Sequence, residues 1–464
     1  MSDKLSGFLA GGLLLATLLI PAFSWLLPLL SYDTQRLGQL LLLALLVVFL
    51  IAARAPLLAG YRLLAWFLFW GLASAGINGL VLDQLVEVSL FALLLLAVYI
   101  TATLIDRYPA ALALWVKPCW LLSALAYVLI ALVYLIVLYR LQGGVSGHEP
   151  MHGFINPRFF NQYQGWLLPV LTGLLFLPRP TWLSAPTWWG LLLLSLGMHW
   201  ALIWQTQGRG LLLGRPGRRF ALATLGVAVL GAILAWLLFD APGLDPERSR
   251  LLSAGLSSRE QLWARAIEQI SHHPWFGVGP MQLAADTVAG PRHPHSAPLQ
   301  LAAEWGLPAL GMVLVLLVWA AVRWLRLART VVLGRVSSRV EPVWFVMLTA
   351  AMATAALQSL LSGVIVMPVS QLMLVLVLGM AFGLYRSYRP GPSLSARSTA
   401  AVKLLAVLAL MVLAAYVTES REHVEHTYER GRGQQGQGET LRLAPRFWSD
   451  GRLSAQPVAT LARE

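Results

Sequence analysis

The stretch VSLFALLLLAVYITATLI, residues 88–105, decides the fold class. It runs eighteen residues without a charge, close to the roughly 20 apolar residues a helix needs to cross a bilayer core. In lipid every backbone N–H and C=O must be satisfied within its own segment, so such a run reads as a helix. Its apolar residues are continuous, unlike the alternating pattern of a membrane barrel strand.

Working outward, comparable runs recur along the chain. Candidate spans lie at 7–30, 37–53, 57–77, 88–105, 120–139, 163–177, 182–203, 220–239, 307–325, 343–366, 369–385 and 404–417. The whole chain agrees: of 464 residues, 58% are hydrophobic and 12% charged, against about 25% charged in soluble domains. The first run, 7–30, is expected to be a retained helix and signal-anchor, because it is too long for a cleavable signal peptide. The single cysteine, Cys119, excludes an internal disulfide and a multi-thiolate metal site, and reads as a small buried hydrophobe.

The net charge is +13. Much of it falls where the positive-inside rule puts cytoplasmic turns: Arg54, Arg107, Lys117 and Arg179, then Arg323 to Arg339, then Arg386 to Lys403. No nucleic-acid-binding motif accompanies it, so nucleic acid is not expected as a partner. With these turns inside, residues 240–305 and the tail 418–464 face outward. Eight spans before residue 240 leave the parity wrong by one, so a hidden or broken crossing is expected between Trp182 and Arg219. The expected fold is an all-α, polytopic helical membrane protein with 12–13 transmembrane helices and one large extracytoplasmic loop. Its parts are N-terminal membrane helices (1–239), the loop (240–305), C-terminal membrane helices (306–417) and a polar tail (418–464).

The chemistry-bearing residues cluster outside the spans. One stretch, 141–164, holds His148, His152, Asn156, Arg158, Asn161 and Gln162. The loop holds Arg259 and Arg265 on an expected helix from Ser257 to Ile270, then His272, His273, Arg292, His293 and His295. A second helix is expected from about Pro298. A histidine at the mouth of a membrane span suits a proton acceptor for an alcohol, since imidazole titrates near neutral pH; a capping or interfacial role is the plainer alternative. The histidine spacing fits no metal site: His293 and His295 are too close for helical ligation, and no cysteine or well-spaced carboxylate joins them. Arg209, in Gln207-Gly208-Arg209-Gly210, lies in or near a membrane segment. A cation there is expensive unless it has a task, and guanidinium fits phosphate oxygens bidentately; a snorkelling interfacial arginine is the competing reading.

Three features, taken in order, resemble the O-antigen ligase superfamily, which includes lipopolysaccharide O-antigen ligases, bacterial protein O-oligosaccharyltransferases and O-antigen polymerases. Arg209-Gly210-Leu211-Leu212-Leu213 resembles an Arg-x-x-x-Leu motif. Arg259 and Trp263 followed by His273-Pro274-Trp275-Phe276-Gly277-Val278-Gly279-Pro280 resemble a loop signature. His295-Ser296, with Gly306 further on, resembles a His-Asn/Ser/Gln motif. Ala309 departs from the residue the ligase motif expects, and a basic turn follows Arg209 at once. The resemblance implies a GT-C-like membrane glycosyltransferase of the bacterial inner membrane, with its site facing the periplasm. The implied donor is an undecaprenyl-diphosphate-linked glycan, with no metal and no soluble cofactor. It implies catalytic roles for His295 as base and for Arg209 and Arg259 on the diphosphate, with Arg265, Arg158, Asn161, His273 and Gly306 binding substrate. The acceptor leans to a periplasmic protein such as pilin, because the Pro294–Leu307 run and the outward tail look more like those members. Lipid A–core is the alternative and a growing glycan the third. A transporter for an anionic lipid is the rival from another class, disfavoured because the two halves show no internal symmetry.

Overall fold

The computed structural model describes residues 3–24, 31–52, 62–107, 116–142, 151–154, 157–206, 218–238, 259–285, 292–337, 340–420 and 446–448. Every element named among them is an α-helix. Eight precede the loop: α1 (Asp3–Phe23), α2 (Ser31–Ala52), α3 (Arg62–Ile77), α4 (Leu82–Arg107), α5 (Lys117–Gln142), α6 (Pro157–Leu174), α7 (Ala185–Thr206) and α8 (Arg218–Leu238). The loop contributes α9 (Arg259–His272), α10 (Gln282–Ala285) and α11 (Ala297–Trp305). Then follow α12 (Leu307–Val332), α13 (Val343–Leu361), α14 (Pro368–Tyr388) and α15 (Ala396–Glu419). Each expected span therefore has its helix, and the chain is a polytopic all-α membrane protein.

Among the described residues, nine of these helices are long and apolar enough to cross a membrane. The apolar parts of α1 and α3 are shorter, Leu14–Phe23 and Ala65–Ile77. Helix α6 is outside the nine because its first half is polar, yet almost all of it is buried. Its environment is protein rather than lipid, and three of its polar side chains donate into the bundle. Gln162 donates to Ser362 Oγ at 2.6 Å, Gln164 to the His199 carbonyl at 2.8 Å and Trp166 to Ser370 Oγ at 3.0 Å. Polar side chains at membrane depth are costly unless they face the bundle interior, and α6 meets that condition.

Helix α14 is the centre of the bundle, with 78% of its apolar window buried, whereas α12 and α15 bury 11% and 17% and form its outer surface. Small residues let α14 approach α4: a Cβ on Gly379 would stand 2.5 Å from Thr101 Cβ, and one on Gly383 would stand 2.6 Å from Ile105 Cβ. This four-residue spacing of glycines is how membrane helices come into backbone contact.

The two ends of the bundle differ in charge. One gathers the expected cationic turns: Lys117 donates to the Pro178 carbonyl at 3.0 Å, and Lys403 to the Ile51 carbonyl at 3.2 Å. The other end carries α9, α10 and α11. At the basic end Phe176, just past α6, stacks on Phe220 at the start of α8 with centroids 6.1 Å apart. Helices α7 and α8 pack antiparallel: Trp204 donates to the Ala228 carbonyl at 3.0 Å, and a Cβ on Gly231 would collide with Trp200 Cβ. The extra crossing expected between Trp182 and Arg219 has no helix of its own among the described residues, and residues 207–217 lie outside them. Within the polar tail, Arg446, Phe447 and Trp448 are buried against the bundle, each about 2% exposed.

Candidate active site

The loop signature forms a corner that fixes α11 and α12. Gly277 N–H bonds the His273 carbonyl at 3.0 Å, and Leu307 N–H bonds the Pro274 carbonyl at 2.8 Å. Val278 and Gly279 donate to the last carbonyls of α11, Ala303 and Glu304, at 2.9 and 3.0 Å. The orphan carbonyls of a helix end are thereby satisfied by the loop. Gly306 turns the chain from α11 into α12 at φ +87°, and any Cβ there would collide with the Trp275 carbonyl. Helix α3 seals the corner. Trp70 stacks on Phe276 at 4.9 Å and donates to the Trp305 carbonyl at 3.1 Å, and Phe67 stacks on Trp305 at 4.8 Å. The Pro-Trp-Phe-Gly-Val-Gly run is thus the mortar between loop and membrane bundle.

This corner presents His295 immediately before α11. His295 has φ +52°, a left-handed conformation uncommon for a side-chain-bearing residue and found at constrained sites. Two bonds hold the turn. The His295 N–H donates to His293 Nδ1 at 3.2 Å, and Trp263 on α9 donates to the Pro294 carbonyl at 2.9 Å. Because His293 Nδ1 accepts, its proton belongs on Nε2, which is buried toward Gly363. The two imidazoles meet edge to face, centroids 4.2 Å apart.

Burial, followed by the charges of Arg158 on α6 and Arg259 on α9, brings the His295 pKa down to about 4. His293 is held well below its ordinary value by burial, His295 and Arg446. Both rings are therefore neutral at physiological pH and able to accept a proton.

Of the sequence-predicted residues, the structure brings Arg158 and Arg259 within electrostatic reach of His295. Asn161 lies one turn along α6 from Arg158 and is buried, its carbonyl accepting from Gln358 at 3.2 Å. Arg265 sits half-buried on α9, six positions after Arg259. His273 is exposed and caps the corner with its carbonyl. Gly306 forms the corner itself. Arg209, with His148 and Asn156, lies outside the described residues.

Sequence reasoning missed a group behind the histidines. Arg446 donates to Glu87 on α4 at 2.9 and 3.0 Å and to Glu304 on α11 at 2.5 Å. With its amide oxygen turned toward it, Gln300 accepts from Nη1 at 2.7 Å and Nη2 at 3.0 Å. All four side chains are buried. Burial works to lower the Arg446 pKa, but Glu304 and Glu87 outweigh it and keep the guanidinium charged. Burial and the neighbouring Glu87 push Glu304 up to about 8 despite Arg446. The one sequence signal was a glutamate inside each of two helices that otherwise bury apolar residues.

Toward the opposite, basic end, an apolar cleft of about 380 Å³ lies between α6, α8, α12 and α13, lined by Gly165, Leu168, Thr172, Phe220, Arg329 and Phe345 among others.

Comparison with known proteins fits this layout. Residues 166–314 match a family model described as O-Antigen ligase. Over 136 residues the chain is 32% identical to an O-antigen ligase of Pseudomonas aeruginosa, a match that covers 29% of this chain and 30% of the relative's length. The matched family segment contains Arg209, Arg259, Arg265, His273, His295 and Gly306, whereas Arg158, Asn161 and Arg446 lie outside it. The segment that builds the histidine corner is thus similar to the O-antigen ligase family, and the match spans about a third of the chain and less than a third of the relative's length.

Proposed function

We propose that this protein is an inner-membrane glycosyltransferase that moves a glycan from a prenyl-diphosphate carrier onto an acceptor hydroxyl on the periplasmic side. The observation that carries the reading is a left-handed, half-buried His295 at the end of a membrane bundle, within electrostatic reach of the guanidinium groups of Arg158 and Arg259. An anionic leaving group and a proton acceptor are what such a transfer requires at one place.

In this reading the donor's diphosphate settles against Arg158 and Arg259, joined by Arg209, while the prenyl chain lies along the apolar surface of the bundle. The acceptor oxygen attacks the anomeric carbon as its proton passes to His295. The bond from that carbon to the phosphate oxygen breaks, and the electron pair leaves with the prenyl diphosphate, whose growing charge the arginines neutralise. A single displacement inverts the anomeric centre. Occupancy by the diphosphate also offsets the two cations that depress His295, so donor binding makes the base stronger when it is needed. Arg265 and Asn161 extend the polar wall toward the sugar, and no metal ion is invoked.

The Pro294–Leu307 run supports a protein acceptor. A second reading, transfer to a lipid acceptor such as lipid A–core, is favoured by the name shared by the matched family model and the Pseudomonas relative. The test is direct. Purified protein is supplied with undecaprenyl-diphosphate-linked glycan and, in parallel, with a pilin or with core lipid. Labelling of one acceptor, lost in His295→Ala and insensitive to EDTA, is the expected result. Label on neither acceptor, or full transfer by His295→Ala, overturns the reading.

A further inference from the structure

Arg446, Phe447 and Trp448 are received by four helices as a bound peptide would be. The guanidinium is gripped by Glu87, Glu304 and Gln300. The Arg446 carbonyl accepts from Tyr32 Oη at 2.5 Å, and the Phe447 carbonyl from Arg36 Nε at 3.1 Å. Arg36 also lies 4.9 Å above the Phe447 ring. Tyr416 on α15 meets Phe447 edge-on at 4.9 Å and stacks with Trp448 at 6.5 Å. The guanidinium, the Arg446 and Phe447 carbonyls and both rings have partners, and Trp448 Nε1 is the tripeptide's buried polar atom left without one among the described residues, so the tripeptide occupies a largely fitted site.

The grip falls on a consequential element. Gln300 and Glu304 are four apart on α11, so one guanidinium holds two successive turns of a single helix face. Helix α11 has only nine residues. Helices shorter than about 12–15 residues are marginal on their own, so its position depends on what holds it. It begins two residues after His295, and on its other side the loop corner fixes only its C-terminal end.

We propose that the Arg446–Trp448 tripeptide is an intramolecular latch, and that Arg446 is a positioning residue which sets α11, and through it the left-handed His295, against Arg158 and Arg259. The proposal rests on His295 being the base of the transfer reaction. Arg446 touches neither donor nor acceptor. It acts through Glu304 and Gln300 on the helix, and through its charge on His293, whose Nδ1 receives the His295 N–H.

The test uses full-length protein carrying Arg446→Gln, Arg446→Lys, or Trp448→Ala, which loosens the latch without uncovering the carboxylates. Hydrogen exchange is followed in residues 293–305 and 446–448, alongside kcat, donor KM and the pH profile of transfer. Arg446→Gln and Trp448→Ala are expected to speed exchange in both segments and to lower kcat by about tenfold or more, while donor KM stays within about twofold. Arg446→Lys is expected to recover part of kcat. The groups facing the two imidazoles are Arg158, Arg259 and Arg446. Removing the last takes away a cation that faces His293 and leaves Glu87 uncompensated, so the acid limb of the Arg446→Gln profile should move to higher pH, which loosened packing alone would not do. Random-coil exchange of 446–448 in the unmodified protein overturns the latch. Faster exchange at 293–305 with unchanged kcat and pH profile overturns the positioning role. Exchange needs no turnover, so a chain that transfers glycan to no acceptor defeats the base assignment and the positioning role that rests on it, while the latch is still judged from exchange alone.

Discussion

The backbone N–H of His295 donates to Nδ1 of His293 at 3.2 Å, so the ring two residues upstream fixes the backbone that presents the second ring. One imidazole is structural and buried against Gly363; the other faces Arg158 and Arg259. In the proposed reaction His293 positions and His295 accepts the proton, and substitutions should separate the two jobs.

At His295, replacement by alanine removes the proton acceptor and should abolish transfer while the protein still inserts and folds. Stability gives a second readout. The His295 pKa is lowered from 6.5 to about 4, so the unfolded chain takes up the proton first as pH falls. Stability should therefore decline between pH 6.5 and about 4. Thermal melts of His295→Asn in that window should be flatter than those of the unmodified protein; parallel curves would show that the ring is not held neutral by its surroundings.

Arg158 on α6 and Arg259 on α9 are far apart in sequence but act electrostatically on one imidazole. Arg158→Gln and Arg259→Gln should each raise the His295 pKa, observable by NMR of a histidine-labelled sample, and each should weaken donor binding. Lysine at either position keeps the charge but loses the planar fork, so a loss of about tenfold in kcat/KM is expected. An Arg259→Lys protein with unchanged donor affinity would remove that arginine from the phosphate site.

The span pattern was legible because lipid imposes one rule on every segment: length and apolarity. The twelve expected runs all became helices for that reason, including α6, whose polar first half is bonded inside the bundle. Arg259 and His295 stood out in the sequence as a charge and a titratable ring near a span's mouth, and the structure brings the two within electrostatic reach of each other, while their roles in transfer rest on the proposal. His273 and Gly306 were read as substrate contacts, and the structure gives them places in the α11–α12 corner, a role set by φ and carbonyl geometry that residue type alone does not reveal. Arg446 was illegible. Its partners Glu87 and Glu304 are 359 and 142 residues away, and a lone arginine in an Arg-, Gln- and Gly-rich tail gives no local sign of a buried pair.

Gly306 tests the corner. Its φ of +87° and ψ of 165° suit glycine alone, and a Cβ would strike the Trp275 carbonyl and crowd the Phe276 nitrogen. Gly306→Ala should destabilise the loop by about 1–3 kcal/mol and reduce transfer, whereas Gly311→Ala, which meets nothing within 4 Å, should be silent. Equal effects from the two substitutions, measured by thermal unfolding and turnover, would remove the geometric argument.

Glu304 sets a pH window of its own. Burial, and the Glu87 charge beside it, raise its pKa from 4.5 to about 8 in the folded protein, although Arg446 opposes the shift. A carboxyl raised on folding binds its proton more tightly in the native state, so its contribution to stability is complete below about pH 4.5. That contribution is lost as pH rises through about 8. The protonated form leaves one carboxylate, Glu87, for one guanidinium, which is the neutral arrangement a buried site favours. Glu304→Gln should therefore be tolerated near neutral pH and should remove the loss of stability on the alkaline side. Arg446→Ala should cost about 3–5 kcal/mol, because it strands buried carboxyls without a partner. Unfolding curves collected from pH 5 to pH 9 decide the matter. An alkaline slope that persists in Glu304→Gln would assign the titration to another group and leave both carboxyls ionised around Arg446.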